Sequence, residues 1–136
     1  MMSTYLSDLL IEVLFKNTGT VAALANVYVG LLTTPASCTS DGTEASGGSY
    51  ARVAVAAANW GQNPAGGSVV QNNATVTFPA ATGSWGTITG IGLYDASSSG
   101  NLLFAGPVEP GLNVTTGSVP VTFLAGQIIV DLCCCC

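Results

Sequence analysis

The chain has 136 residues, of which 49% are hydrophobic and 7% charged, and a formal net charge of −5. Ordinary soluble domains carry roughly a quarter charged residues, so this surface is either neutral or largely covered in an assembly. Seven acids against two bases exclude a nucleic-acid partner, which needs cations to neutralise phosphates, and an anionic membrane surface for the same reason.

The length allows one domain with a real core. No apolar run approaches the ~20 residues of a membrane span. The N-terminal stretch has no basic region, and Asp8 and Glu12 interrupt its apolar face, so it does not read as a signal peptide.

Residues 3–16 read as a helix. Ser3 is a suitable N-cap. Tyr5, Leu6, Leu9, Leu10, Val13 and Leu14 recur at helical spacing and form one broad apolar stripe, with Ile11 and Phe15 at its edge. Asp8, Glu12 and Lys16 lie four apart on the polar side, and Asn17-Thr18-Gly19 is a stop signal. Apolar surface this wide must pack on a sheet or on another chain.

Everything after the helix reads as β. Val27–Thr33 is a strand, and 35–48 is a polar loop holding Asp41 and Glu44. The next run, Tyr50–Asn59, alternates. Ala51, Val53, Val55 and Ala57 form a core face, while Tyr50, Arg52, Ala54, Ala56, Ala58 and Trp60 form the opposite one. That second face has a guanidinium and two aromatics at its ends and flat alanines between, and it reads as a surface to be covered. Residues 62–67 form a turn, and 74–78 alternate with Ala74, Val76 and Phe78 inward. Thr87–Tyr94 and Leu102–Ala105 are strands flanking a Ser/Gly turn, and Val119–Phe123 and Gln127–Leu132 form a closing hairpin through Ala125-Gly126. Short strands with Gly-, Pro- and Ser-rich turns predict a mainly β, single-domain antiparallel β-sandwich or jelly roll over 1–132, with one N-terminal amphipathic helix.

Chemistry is poorly represented. No histidine can act as a general base or metal ligand. Lys16, the single lysine, sits on the solvent face of the helix. Asp41, Glu44, Asp95 and Glu109 are the carboxylates open to acid–base pairing, but their loop and turn positions read as structural. The Ser40–Glu44 run lacks EF-hand spacing. Asn59, Trp60, Gln62 and Asn63, with Trp85 and Tyr94, are the residue types of a glycan platform, and equally those of packed aromatics. The glycines around Trp85 and Ile91 do not open a helix, so they offer no phosphate cradle. Cys38 and the tail 133–136 lack disulfide or zinc spacing. The tail is either a reduced chain end or a site of covalent pairing, between neighbouring copies or with Cys38, in an oxidising medium. Catalytic residues, cofactors and metals are expected to be absent, and the chain is not expected to be an enzyme.

The order of segments, above all Gly48-Ser49-Tyr50-Ala51-Arg52 and the stretch from Trp85-Gly86-Thr87-Ile88 to Gly92-Leu93-Tyr94-Asp95, resembles a family of small tailed-bacteriophage virion proteins often labelled tail fibre protein. The resemblance spans roughly residues 5–132 and implies a structural part of a phage virion. Which part is left open by the resemblance; a chain too short for both a fibre shaft and a receptor-binding tip, with low charge and an apolar helix suited to embedding between neighbours, makes a capsid cement or decoration protein the expected role. It would be a homotrimer bound to the major capsid protein at the capsid surface, without nucleic-acid or membrane partners. The alternative is a tail or tail-fibre component contacting a host receptor or surface glycan. The expected interface residues are Tyr50, Arg52, Trp60, Leu6, Leu10 and Phe15. Arg52 would pair with Glu44, Asp95 or Glu109, across a subunit interface or within the chain.

Overall fold

A computed structural model describes residues 1–64 and 66–132; the cysteine tail 133–136 lies outside the described residues. The N-terminal helix α1 spans Thr4–Phe15, and the Ser3 hydroxyl caps it by accepting the Leu6 N–H at 3.2 Å. The stop falls where expected: Lys16 and Thr18 both donate to the Glu12 carbonyl, at 3.2 and 3.1 Å, and Asn17 adopts φ +52°. The apolar stripe is divided. Leu6, Leu9, Leu10 and Val13 are half-buried, Tyr5 and Leu14 are exposed, and no residue of α1 is fully buried. No helix among the described residues is long and apolar enough to cross a membrane.

Ten strands follow among the described residues: β1 Asn26–Thr34, β2 Thr43–Glu44, β3 Val53–Ala56, β4 Trp60–Gln62, β5 Val69–Asn72, β6 Val76–Thr77, β7 Gly86–Tyr94, β8 Leu102–Val114, β9 Thr122–Phe123 and β10 Ile129–Asp131. Every pairing between them is antiparallel. The largest sheet has the order β2-β1-β7-β8, with β3 also paired to β1. β2 and β3 share one side of β1, taking its C-terminal and N-terminal halves. A three-stranded sheet runs β10-β5-β4, and β6 pairs with β9.

The main core lies between the large sheet and the smaller ones. Val29, Leu31, Val55, Ile88 and Leu93 come from the large sheet, and Val76, Phe78, Val121 and Ile128 from the facing segments. The molecule is mainly β with one helix near the N-terminus, as composition and periodicity predict.

Four local expectations change. First, the run Tyr50–Asn59 is not one strand. β3 ends at Ala56, a single 3-10 turn occupies Ala57–Asn59, and Trp60 opens β4 in a different sheet. Alanines carry no β-branched bulk to hold an extended backbone, so the chain turns from one sheet to the other there, and Ala57 is exposed rather than inward. Second, the turn at 62–67 joins two paired strands, β4 and β5, the second of which has only a weak apolar signature. Third, β8 does not stop at Ala105 but runs to Val114. Its prolines, Pro107 and Pro110, are tolerated because β8 ends the sheet: residues 1–3 pair with its outer side at Leu103–Ala105, and beyond Ala105 no further strand among the described residues pairs there. A register shift between Ile88 and Gly90 accommodates the extra β8 residues there.

Fourth, the last two strands do not form a hairpin with each other: β9 pairs with β6, and β10 with β5. The reason is Asn72, which is fully buried. Its side-chain amide donates to the carbonyls of Ala74 at 2.8 Å and Leu124 at 3.0 Å, and its side-chain oxygen accepts the Ile128 N–H at 2.9 Å. Its backbone accepts the Gly126 N–H at 2.7 Å and donates to Ile128 at 3.1 Å. The side chain and backbone of Asn72 thus tie residues 124–128 to β5, although the Leu124 carbonyl also accepts the Gln127 N–H at 3.1 Å across the turn.

Candidate functional site

Two features stand out: a polar cluster around Arg52, and apolar surface at α1 and beside β8. The cluster begins with two glycines. Gly30 of β1 lies directly opposite Gly92 of β7. A Cβ on Gly30 would come within 2.9 Å of both Glu44 Oε1 and Tyr94 Cε2, and one on Gly92 within 2.8 Å of the same tyrosine ring. The pair forms a flat floor on which larger side chains lie.

On that floor sits the Tyr94 ring, and Arg52 stacks on it with its guanidinium carbon 3.5 Å from the ring centroid. Glu44 grips Arg52 through two parallel bonds, Nε to Oε1 at 2.8 Å and Nη2 to Oε2 at 2.7 Å. Arg52 Nη1 donates to the carbonyls of Ala96 and Ser99, both at 2.7 Å. The Tyr50 hydroxyl donates to Glu44 Oε1 at 2.8 Å and accepts the Leu31 N–H at 2.9 Å. The Arg52 side chain is 7% exposed.

The surface that the alternating run left to be covered is therefore covered at Arg52 by the chain's own 43–44 strand and 96–99 turn. Of the three carboxylates expected as partners, Glu44 is the one used. Asp95 instead holds its own turn, accepting from the Asn101 backbone at 2.7 Å and the Asn101 side chain at 2.8 Å.

The ion pair with Glu44 raises the Arg52 pKa above its ordinary value, against an opposing effect of burial. Burial raises Tyr50 well above the usual phenol range. It pushes Tyr94 up to about 12, helped by the Glu44 charge. Both phenols are thus neutral at ordinary pH, and the cluster is a fixed clasp joining four segments.

The other expected interface residues lie in varied settings. The Tyr50 ring packs inward, 6.4 Å from Phe78 and edge-on to Trp85 at 5.2 Å. Trp60 is half-buried against the main core, with its indole N–H shielded and without a partner among the described residues. Leu6 and Leu10 are half-buried, and Phe15 is 82% exposed. Trp85 is buried with its N–H donated to the Gly48 carbonyl at 2.8 Å, and Tyr94 is buried under Arg52, so neither forms a surface platform for a sugar.

A second feature has no counterpart in the sequence reading. An open apolar groove of about 890 Å³ runs beside β8. Ile91 and Leu93 of β7 form its floor, β8 one wall, and segments 119–123 and 127–131 the other. Leu112, Val119 and Ile129 are exposed at its rim. It was missed because its walls come from strands whose pairing the sequence left undetermined. The faint signal was the density of Val, Ile and Leu in 119–132, more than a hairpin with one buried face requires.

No curated protein matches the chain by sequence. The family described as Podophage GP4 fiber I protein gp80 matches residues 1–131. That description supports a fibre of the phage virion, and so favours the tail-fibre alternative over the expected capsid-cement role. The chain belongs to the Podophage GP4 fiber I protein gp80 family of bacteriophage virion structural proteins.

Proposed function

We propose that the protein is a tail-fibre subunit of a bacteriophage virion, a structural and non-enzymatic part that acts by associating with further copies of itself. The observation that carries this reading is the family match along residues 1–131. The physical chemistry points the same way. The chain keeps few charges, and its strongest ion pair is spent inside. It leaves Leu14, Phe15 and Val119 exposed at 71%, 82% and 86%, apolar surface that an isolated molecule gains nothing from showing to water. A small closed ring, such as the trimer expected by analogy with the family, is the ordinary way for identical chains to cover such surface.

Immunogold labelling of purified virions with an antibody against this chain tests the location. Gold confined to the tail is the expected result. Gold distributed over the capsid faces overturns the reading in favour of a decoration protein on the major capsid protein. Contact with a host glycan has no support from Trp85 or Tyr94, which are occupied within the chain.

A further inference from the structure

The groove beside β8 and the far end of α1 are both apolar, both exposed and carried by the same chain. A further β-strand is a poor occupant of the groove, because Pro107 and Pro110 on its β8 wall have no N–H to offer. The space suits inserted side chains instead.

α1 carries such side chains at its C-terminal end, where Leu14 and Phe15 project into solvent beside Lys16. They cannot serve their own groove. The chain leaves β8 at Ser3, whose N–H donates to the Leu103 carbonyl at 2.8 Å. From there twelve helical residues carry the far end roughly 18 Å away. Among the described residues, none of α1 lines the groove.

Charge selects the partner. The sequence has two cationic side chains. Arg52 is committed to Glu44, and Lys16 is 63% exposed with only a 4.0 Å contact to Glu12. The groove rim carries Glu109 and Asp131, both exposed. Copies with a net charge of −5 repel one another, and docking Lys16 at this rim sets the remaining cationic side chain against acidic residues, the Met1 ammonium at the same groove being bonded to the Ala105 carbonyl.

We propose that the groove receives the C-terminal end of α1 from a second copy of this chain, with Leu14 and Phe15 inserted between β8 and the 119–131 wall and Lys16 facing Glu109 and Asp131. A buried phenylalanine removes roughly 150–250 Å² from water, which makes Phe15 the anchor. The contact is head-to-tail, so it closes into a ring when the rotation between copies allows. The inference rests on the reading of the chain as a self-associating virion subunit, but not on its location in the tail.

The test uses the full chain in solution. Phe15→p-benzoylphenylalanine is irradiated in a mixture of isotopically light and heavy chains. The expected product is a light–heavy crosslink from position 15 to residues 104–131. At about 0.15 M salt, where the repulsion between net charges is screened, Lys16→Glu and Glu109→Lys should each weaken association severalfold, and the double variant, whose net charge is that of the native chain, should restore most of it. A crosslink from position 15 to residues 4–24 of the second copy overturns the proposal, as do a monomeric chain and purely additive charge variants. Tail labelling with a monomeric chain sinks this inference alone, and capsid labelling with the predicted crosslink sinks the tail location alone.

Discussion

Arg52 is the residue on which the most local structure converges. Four of its N–H groups are bonded within the chain, and its ring partner, Tyr94, lies on a floor where only glycine fits. Arg52→Lys keeps the charge but loses the planar fork and the stack, and should lower stability by about 2 kcal/mol in urea unfolding, discounted for the partial exposure of Glu44. Gly30→Ala should cost a similar amount, about 1–3 kcal/mol, because Glu44, Tyr94 and Tyr50 must all give way. The phenols add a pH dependence with a definite sign. Burial raises the folded pKa of Tyr50 and Tyr94 above the unfolded value, so their contribution is intact below about pH 10. It falls as pH climbs through the folded values, about 12 for Tyr94. Thermal melts should be flat near neutrality and decline above pH ~10, and Tyr94→Phe, which keeps the ring under Arg52, should make that decline shallower. The sequence marks Arg52 as exceptional, a lone guanidinium in an alanine-valine run, and offers Glu44 among its partners. It does not show that Gly30 and Gly92 face each other, because that depends on the register between β1 and β7.

At the scale of elements, α1 was legible almost to the residue. Its cap, its stop and its 3.6-residue period are local signals, and tertiary packing changed none of them. The strands were legible where alternation was strong, as at Val76 and Phe78. They were misread where one distant side chain decides the pairing. Asn72 is such a case: nothing around Val69–Asn72 announces that an asparagine will lie fully buried and take the backbone of residues 124–128. Asn72→Ala removes the acceptor of the Ile128 N–H and the side-chain donor to the Ala74 and Leu124 carbonyls, the second of which keeps the Gln127 N–H, and should cost about 2–3 kcal/mol by denaturant unfolding. Asn72→Asp is the sharper variant. A carboxylate still accepts from Ile128 but cannot donate to Ala74 and Leu124, so it should be as damaging as alanine at pH 7 and recover partly in acid. Equal stability of both variants and the native chain would mean that β9 and β10 find their partners without this side chain.

For the whole molecule, charge and apolar surface act against each other, and salt separates them. Two copies with a net charge of −5, with centres about 30 Å apart for chains of this size, repel by roughly 3 kcal/mol in water without salt. A single exposed pair such as Lys16 with Glu109 returns only about 0–1 kcal/mol. At low ionic strength the repulsion therefore outweighs the pair. At about 0.15 M salt the screening length falls to ~8 Å, the long-range repulsion fades, and the burial of Phe15 and Leu14 is left to drive association. Sedimentation velocity at ~20 mM and ~300 mM sodium chloride should show the weight-average mass rising with salt, the reverse of an interface held mainly by ion pairs. Phe15→Ser should abolish that rise while leaving the unfolding midpoint nearly unchanged at a concentration and salt where the native chain is monomeric, since the side chain is exposed in the single chain. If association instead weakened with salt, charge rather than the apolar groove would be holding the copies together.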